Sequence, residues 1–323
     1  MARKRNYDRR NFKERRKKQI VTRVLLIIAA IIVTVGGLSA WNNYKEKKAA
    51  EEEAARIAAE KKAEEERLAK ELKEKQDKIN SVLETDIYKS ELSELYNKYT
   101  QTEEILLNRE AYPDWVIEYL AGHEEAIDWA VGYPEYMAKS VDEINALATT
   151  PIGAYQSDRN NIPLLFQWDQ RWGYASYGET GIIARDGCGP TCLSMIAIGF
   201  TGDDSITPKV VADMAAEKNH YIDGGGSSWS LFGEAPKEYG LSTSQITRWS
   251  ATEIADELAS GNVVVCNVGP GDFTAIGHYI VITKLNADGT VMVNDPNSKV
   301  KSEMNWDPQK ILDQTKGMWS IGR

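Results

Sequence analysis

The chain has 323 residues and a formal net charge of -9, which is enough length for one or two domains with attached segments. The charge is unevenly spread, because residues 1–23 hold eleven Lys and Arg against two acidic residues. That segment carries about +9 and the remainder about -18. A basic segment beside an apolar run is more typical of membrane topology than of nucleic-acid binding, so no nucleic-acid partner is expected.

An apolar run follows the basic segment, since Val24 to Trp41 contains eighteen residues and no charged side chain. A helix of this length spans about 27 Å, close to the thickness of a hydrocarbon core. A cleaved signal peptide is the alternative, but the run is longer than a usual signal core and Leu38-Ser39-Ala40 is a poor cleavage sequence. We predict one transmembrane helix over 24–41, with residues 1–23 cytoplasmic and the rest of the chain outside the plasma membrane.

Residues 42–80 are dominated by Ala, Glu, Lys and Arg, and residues 45–80 hold eleven acidic and eleven basic side chains with no Gly or Pro. Glutamates four residues ahead of a basic residue, such as Glu66 before Lys70, favour a helix, which over 45–80 would be about 54 Å long. Four apolar residues fit the spacing of a coiled coil: Leu68, Leu72, Ile79 and Val82. The preceding core positions are polar, so we predict a solvated helical stalk, with a homodimer through this segment as the alternative.

Large apolar side chains at helical spacing predict a small helical module over residues 81–150. Tyr112-Pro113 and Tyr133-Pro134 bracket one short unit of it, because Pro favours a helix start or a break. His123 lies in a polar stretch of this module and is predicted to be a surface histidine.

Residues 151–323 are richer in Gly, Trp and β-branched residues, and they predict an α+β domain with its own core. Apolar runs predict strands near 162–167, 262–268, 278–284 and 290–294. Helices are predicted near 188–200, 208–217 and 251–260. Cys192 and Cys266 are predicted to be buried structural residues, and no disulfide framework is implied.

The sharpest local signal is Cys188, which lies between Gly187 and Gly189 and just ahead of Pro190. Pro190 suits the first turn of a helix, so Cys188 is predicted at a helix N-terminus with its backbone closely approached. The partial positive charge of that terminus stabilises a thiolate, and its free N–H groups can face an oxyanion. Cys188 is therefore the candidate nucleophile.

A nucleophilic cysteine needs a base, and the chain contains three histidines. His278 begins an apolar strand and so marks where a buried strand reaches an open edge. His220 precedes a glycine-rich loop and is predicted to belong to a flexible surface segment. His278 is the preferred base.

The base in turn needs an orienting group. Residues 286–289 predict a hairpin turn, and a register that pairs Leu285 with Thr290 sets Ile280 opposite Asp295. Asp295 is then diagonal to His278, while Asn297 faces His278 directly, and spacing alone leaves both open. Gln167 and Gln170, upstream of the cysteine, are candidate oxyanion donors.

These residues form four motifs in order along the chain: Ile162 to Trp172, Gly187-Cys188-Gly189-Pro190-Thr191, Gly277-His278-Tyr279 and Asn294-Asp295-Pro296. Together they resemble cysteine-peptidase family 39 in its stand-alone form, related to the bacteriocin-processing double-glycine peptidases. The resemblance implies a papain-like fold with Cys188 as nucleophile, His278 as general base, Asp295 as orienting residue and Gln167 as oxyanion donor. Unlike the transporter-linked members, this sequence shows one predicted membrane span and no nucleotide-binding motif.

The sequence thus predicts a membrane-anchored extracellular cysteine peptidase of α+β class, with a papain-like domain behind a transmembrane helix and a helical stalk. Residues 112–134 also resemble segments that precede such domains in Gram-positive surface proteins. The alternatives are a hydrolase of peptidoglycan stem peptides or cross-bridges, and a non-catalytic binding module on the same scaffold. The expected partners are a peptide or cell-wall peptide substrate and the membrane, with no cofactor and no metal. The predicted segments are 1–23, 24–41, 42–80, 81–150 and 151–323.

Overall fold

The computed structural model describes residues 2–155 and 161–323, with side chains from residue 14 onward. The described residues divide into two compact units, Met1–Gln76 and Asp77–Arg323.

The N-terminal helix α1 (Ala2–Thr85) is continuous through the apolar run and the charged segment, which confirms the helix predicted over 45–80. Its ion pairs are solvent-exposed, so each contributes little. Charged side chains four residues apart pair along the helix, for example Lys62 with Glu66 and Lys70 with Glu74. Where side chains are described, α1 is the one helix long and apolar enough to cross a membrane.

The helical part of the second unit has five further α-helices among the described residues. They are α2 (Lys89–Lys98), α3 (Thr102–Leu107), α4 (Asp114–Gly122), α5 (Ile127–Met137) and α6 (Val141–Ala148). Short 3-10 turns at Arg109–Ala111 and Glu124–Ala126 connect them. Pro113 precedes α4 as predicted, but Pro134 lies inside α5, so the expected start or break there is wrong.

The remaining described helices follow in chain order. They are α7 (Ile183–Asp186), α8 (Cys188–Thr201), α9 (Pro208–Glu217), α10 (Ser230–Glu234), α11 (Ala251–Ala259), α12 (Lys299–Glu303) and α13 (Pro308–Leu312), with a 3-10 turn at Ala235–Tyr239. The helices predicted near 188–200, 208–217 and 251–260 are confirmed.

In the described part of the chain, six strands form one antiparallel sheet in the order β5-β10-β6-β7-β8-β9. The strands are β5 (Ser242–Gln245), β6 (Val263–Val268), β7 (His278–Leu285), β8 (Val291–Asn294), β9 (Asn305–Trp306) and β10 (Thr315–Gly322). Two short ribbons pair β1 (Ser176–Tyr177) with β2 (Gly181–Ile182), and β3 (Tyr221–Ile222) with β4 (Gly226–Ser227).

The strand predicted at 162–167 is wrong, because this segment is irregular. Pro163, its second residue, has no backbone N–H to give to a ladder. Leu165 donates its N–H to Met195 Sδ, at 3.2 Å, instead of to another strand. The segment is still buried at Ile162 and Leu165, so its apolar pattern reflects burial without strand pairing.

The sheet buries both faces, and the side chains of β6 alternate between two apolar cores. Val263 and Val265 point into a core shared with α8, α9 and the helices of residues 89–148. Val264 and Cys266 point into a second core with α11 and α13. The helices ahead of residue 150 therefore pack into the same core as the sheet.

Candidate active site

Cys188 is the first residue of helix α8, with Gly187 as the residue before it. The helix begins when Thr191 donates its N–H to the Gly187 carbonyl, at 3.0 Å. The N–H groups ahead of Thr191 have no partner within the helix, and the helix dipole makes this end partly positive. Cys188 is half-buried, so its thiol lies where a negative charge is stabilised and can still be reached.

The two glycines beside Cys188 are explained by close contact. A Cβ on Gly187 would lie 2.5 Å from the Ile183 carbonyl oxygen, and one on Gly189 would overlap the Ser227 hydroxyl. Gly187 has φ -91°, which other residues adopt readily, so a left-handed turn is not the reason for its presence. The close approach expected at these glycines is confirmed, and it lets the first turn of α8 pack directly against Ile183 and Ser227.

His278 is the first residue of β7 and is almost completely buried, at 6% exposed. Its Nε2 atom lies 2.7 Å from Oδ1 of Asp295, and its side chain lines the same cavity as Cys188. Burial alone lowers the pKa of His278, but the charge and hydrogen bond of Asp295, together with Cys188, raise it to about 10. The imidazole is therefore held in its protonated form between a thiol and a carboxylate.

Asp295 lies directly after β8 and is fully buried. Its Oδ1 also accepts the backbone N–H of Asn297, at 2.8 Å, and its own N–H donates to Ser302 Oγ, at 2.9 Å. The side chain of Asn297 points to Tyr119, whose hydroxyl donates to Asn297 Oδ1 at 3.0 Å. Of the two residues that spacing left open, Asp295 is the one in contact with His278.

Gln167 and Gln170 have different surroundings. Gln167 is buried, lines the cavity at Cys188, and donates its Nε2 to the carbonyls of Ala184 at 2.7 Å and Arg185 at 3.4 Å. Gln170 donates to the Asp128 carbonyl and lines a different cavity. Gln167 thus holds the segment just before Cys188, and the role of oxyanion donor stays a prediction.

All three cysteines lie within the described residues and are free. Cys192 is buried one turn into α8, and its thiol donates to the Tyr279 carbonyl at 3.3 Å. Burial raises the pKa of Cys192 well above its usual value and that of Cys266 to about 12. Both therefore stay protonated, as the structural role predicted for them requires.

The expectation that His220 belongs to a flexible surface segment is wrong. His220 is 3% exposed, and its Nδ1 lies 2.7 Å from Ser230 Oγ at the start of α10. The sequence signal was the glycine run 224–226, but the exposed stretch is residues 222–225, which begins two residues after His220.

In the described part of the chain, two cavities meet at Cys188 and His278, with volumes of about 250 Å³ and 500 Å³. The smaller is lined by the glycine run 224–226. The larger lies between the loop 271–277 and three residues of the helical part, Tyr119, Gly122 and His123. Ile276, at 87% exposed, borders both. Cys188 thus lines both cavities, which together are called the cleft.

Tyr119 and His123 are site residues that the sequence analysis missed. His123 was expected on the surface, but it is half-buried, stacks on the Tyr119 ring at 4.5 Å, and bonds the Tyr119 carbonyl through Nδ1 at 3.0 Å. Burial lowers its pKa. The i, i+4 spacing of two aromatic rings across the end of α4 was the available signal, but it does not indicate which surface the rings face.

A buried histidine bonded to a carboxylate, near a cysteine at a helix N-terminus, is an arrangement that can support nucleophilic chemistry by a thiol. Residues 159–320 match the Peptidase_C39 like family. The chain belongs to this family, as the sequence motifs predicted. The family points to a peptidase, of cysteine type.

Solved structures similar to this chain include a C39-like peptidase from Bacillus anthracis, at 16% identity over 51% of this chain and 96% of that chain, with a TM-score of 0.33. Another is the peptidase domain of Streptococcus ComA, a bifunctional ABC transporter involved in quorum sensing. It is 20% identical over 45% of this chain and 96% of that chain, also with a TM-score of 0.33. No curated protein matches the chain.

Proposed function

We propose that the protein is a membrane-anchored cysteine peptidase that hydrolyses peptide or amide bonds outside the cell, using Cys188, His278 and Asp295. The observation that supports it most strongly is the position of His278. Its Nε2 is bonded to a buried carboxylate, which leaves Nδ1 as the nitrogen available to Cys188. A papain-like assignment belongs to this proposal, since α8 carries the cysteine and the antiparallel sheet carries the histidine.

In the proposed reaction, the Cys188 thiolate attacks the carbonyl carbon of the scissile bond and a C–S bond forms. The backbone N–H of Cys188 and the Gln167 amide stabilise the oxyanion, which requires Gln167 to give up a bond to a carbonyl. The C–N bond breaks as His278 protonates the departing amine. Water, deprotonated by His278, then attacks the thioester, the C–S bond breaks, and a carboxylic acid leaves.

The shape of the cleft supports an extended polymer as substrate. Two cavities, of about 250 Å³ and 500 Å³, are both lined by Cys188, so the space at the thiol extends beyond one pocket. A site built for a small metabolite would instead enclose its ligand in one pocket.

Anchoring is proposed from helix α1, whose apolar run 24–41 follows a basic segment. With this orientation the peptidase domain lies outside the membrane. Washing membranes with alkaline carbonate should leave the full-length protein in the pellet. External protease should remove the segment after residue 41 from spheroplasts, whereas release by carbonate or protection of that segment would contradict the topology.

A wall hydrolase is the second candidate, and the length of α1 beyond residue 41 favours it. Residues 42–85 continue the helix by about 66 Å at 1.5 Å per residue, a reach suited to a thick wall. Peptidoglycan stem peptides and cross-bridges would be cleaved by the same three residues.

The test is to incubate the full-length protein in detergent with a peptide library and, separately, with purified wall fragments. New amino termini are identified by mass spectrometry, with Cys188→Ala as the control. Cleavage of linear peptides by wild type alone supports the peptidase, and cleavage confined to wall fragments supports the second candidate. Absence of cleavage in both, or equal cleavage by Cys188→Ala, would contradict the enzymatic proposal and leave a surface binding module.

A further inference from the structure

We propose that Tyr119 of helix α4 is a positioning residue for the His278–Asp295 pair, although it lies outside residues 159–320, the region that matches the peptidase family. This inference rests on the proposed function. In this proposal, the helices ahead of residue 150 contribute a residue that positions the His278–Asp295 pair.

A continuous series of hydrogen bonds joins Tyr119 to the imidazole. The Tyr119 hydroxyl donates to Asn297 Oδ1 at 3.0 Å, and the Asn297 N–H donates to Asp295 Oδ1 at 2.8 Å. The same oxygen of Asp295 lies 2.7 Å from His278 Nε2. Asn297 thus fixes the oxygen that holds the imidazole, and Tyr119 fixes Asn297.

The Tyr119 hydroxyl is suited to this role because it is 8% exposed and its ring is held on two sides. It stacks on His123 at 4.5 Å and meets Trp129 edge to face at 5.4 Å. Burial raises the pKa of Tyr119, so the hydroxyl stays protonated and donates.

A second contact from the helical part holds the same loop. The Glu125 carboxylate accepts the Ser298 hydroxyl at 2.7 Å and the Lys299 N–H at 2.6 Å, at the start of α12, where Ser298 is the N-cap residue. The loop from Asp295 to Ser298 is therefore tied to the helical part at two points.

Tyr119→Phe separates positioning from packing, because the ring contacts remain and only the hydroxyl is lost. A displaced Asp295 would hold the imidazolium less well, and fewer chains would carry the thiolate–imidazolium pair near neutral pH. We expect alkylation of Cys188 by iodoacetamide at pH 6 to slow by about 2- to 10-fold, the effect of one hydrogen bond. At high pH, where the thiol ionises unaided, the rates should agree.

The matched control is Tyr112→Phe in the full-length protein, because the Tyr112 hydroxyl also donates to a group of the helical part, the Val131 carbonyl at 3.1 Å. Its alkylation profile should equal that of wild type. A double-mutant cycle with Asn297→Ala adds a second test, since the effect of Tyr119→Phe should shrink when Asn297 cannot accept, and it separates this contact from the one that the Tyr119 hydroxyl also makes with Gln167.

An unchanged pH profile in Tyr119→Phe, an equal slowing in Tyr112→Phe, or an undiminished effect in the Asn297→Ala background would each overturn the inference while the proposed function stands. Loss of the near-ultraviolet circular dichroism signal in Tyr119→Phe would show that this variant is misfolded. The alkylation profile of Asn297→Ala is then compared with that of wild type, and identical profiles would overturn the inference. An ordinary thiol profile in wild type itself would defeat the proposed function and this inference together.

Discussion

His278 and Asp295 are brought together by a change of register between their strands. Near the turn Leu285 pairs with Val291, whereas beyond a bulge between Ile282 and Lys284 Val281 pairs with Asn294. Without the bulge the ladder would be displaced by one residue, and Asp295 would point to the other face of the sheet. Extended from Val281, the observed register sets Asp295 opposite Ile280 and diagonal to His278.

Removal of the Asp295 charge should lower the pKa of His278. In wild type we expect the imidazole to stay protonated to about pH 10, and Asp295→Asn should titrate at least about one unit lower, because an adjacent carboxylate raises the pKa by that order. Histidine-labelled NMR of the three imidazoles measures this. The control is Asp256→Asn on the exposed face of α11, and a titration midpoint of His278 that is the same in Asp295→Asn and wild type would contradict the assignment.

Gly189→Ala should disturb the head of α8, because its Cβ would overlap Ser227, whose hydroxyl bonds Tyr177. Overpacking of this kind costs about 1–3 kcal/mol, so we expect a lower melting temperature and slower alkylation of Cys188. Gly233→Ala in α10 is the matched control, since the one atom within 4 Å of its Cβ is Trp319 Nε1 at 4.0 Å. Equal melting temperatures for the two variants would refute the packing explanation.

Native labelling with iodoacetamide should modify one cysteine per chain, and labelling in denaturant should modify all three. Cys192 and Cys266 are fully buried, and burial raises the pKa of both thiols. Peptide mass spectrometry after brief labelling should find the native modification on Cys188. Rapid native labelling of Cys192 would show that α8 does not pack on β7 as described.

The His278–Asp295 pair should stabilise the protein most at neutral and lower pH. A histidine whose pKa in the folded protein exceeds its ordinary 6.5 stabilises the fold fully below pH 6.5. This stabilisation is lost as the pH rises through the pKa of the folded state. The test compares the thermal unfolding of Cys188→Ala with that of Cys188→Ala/His278→Gln, followed by near-ultraviolet circular dichroism. Both variants lack the Cys188 thiol, so its titration does not affect the comparison. The difference should shrink between pH 7 and pH 10, and a constant difference would contradict the raised pKa.

The elements nearest the chemistry could be predicted from the sequence, because each has a strong local signal. Pro190 and the apolar spacing after Cys188 predicted α8, and continuous apolar runs predicted β6 and β7. Strand β10 has no such signal, since Thr315–Gly322 contains glycines at both Gly317 and Gly322 and no regular alternation. Its place between β5 and β6 depends on long-range pairing.

The residues that support Cys188 and His278 could be predicted less well than these two residues themselves. A register counted back from the turn gave Ile280 opposite Asp295, but it assumed Leu285 opposite Thr290 and did not include the bulge. Asp295 and Asn297 could not be separated by spacing because both fell within reach of His278. Tyr119 is 178 residues from Asn297 in the chain, and no local pattern links them.

The central claim, an activated Cys188–His278 pair, is tested most directly by the rate of Cys188 alkylation across pH in the full-length protein and in His278→Ala. We predict fast alkylation near pH 6 in wild type that is lost in the variant, because the imidazolium stabilises the thiolate. Slow alkylation with the pH profile of an ordinary thiol, unchanged by His278→Ala, would contradict the account.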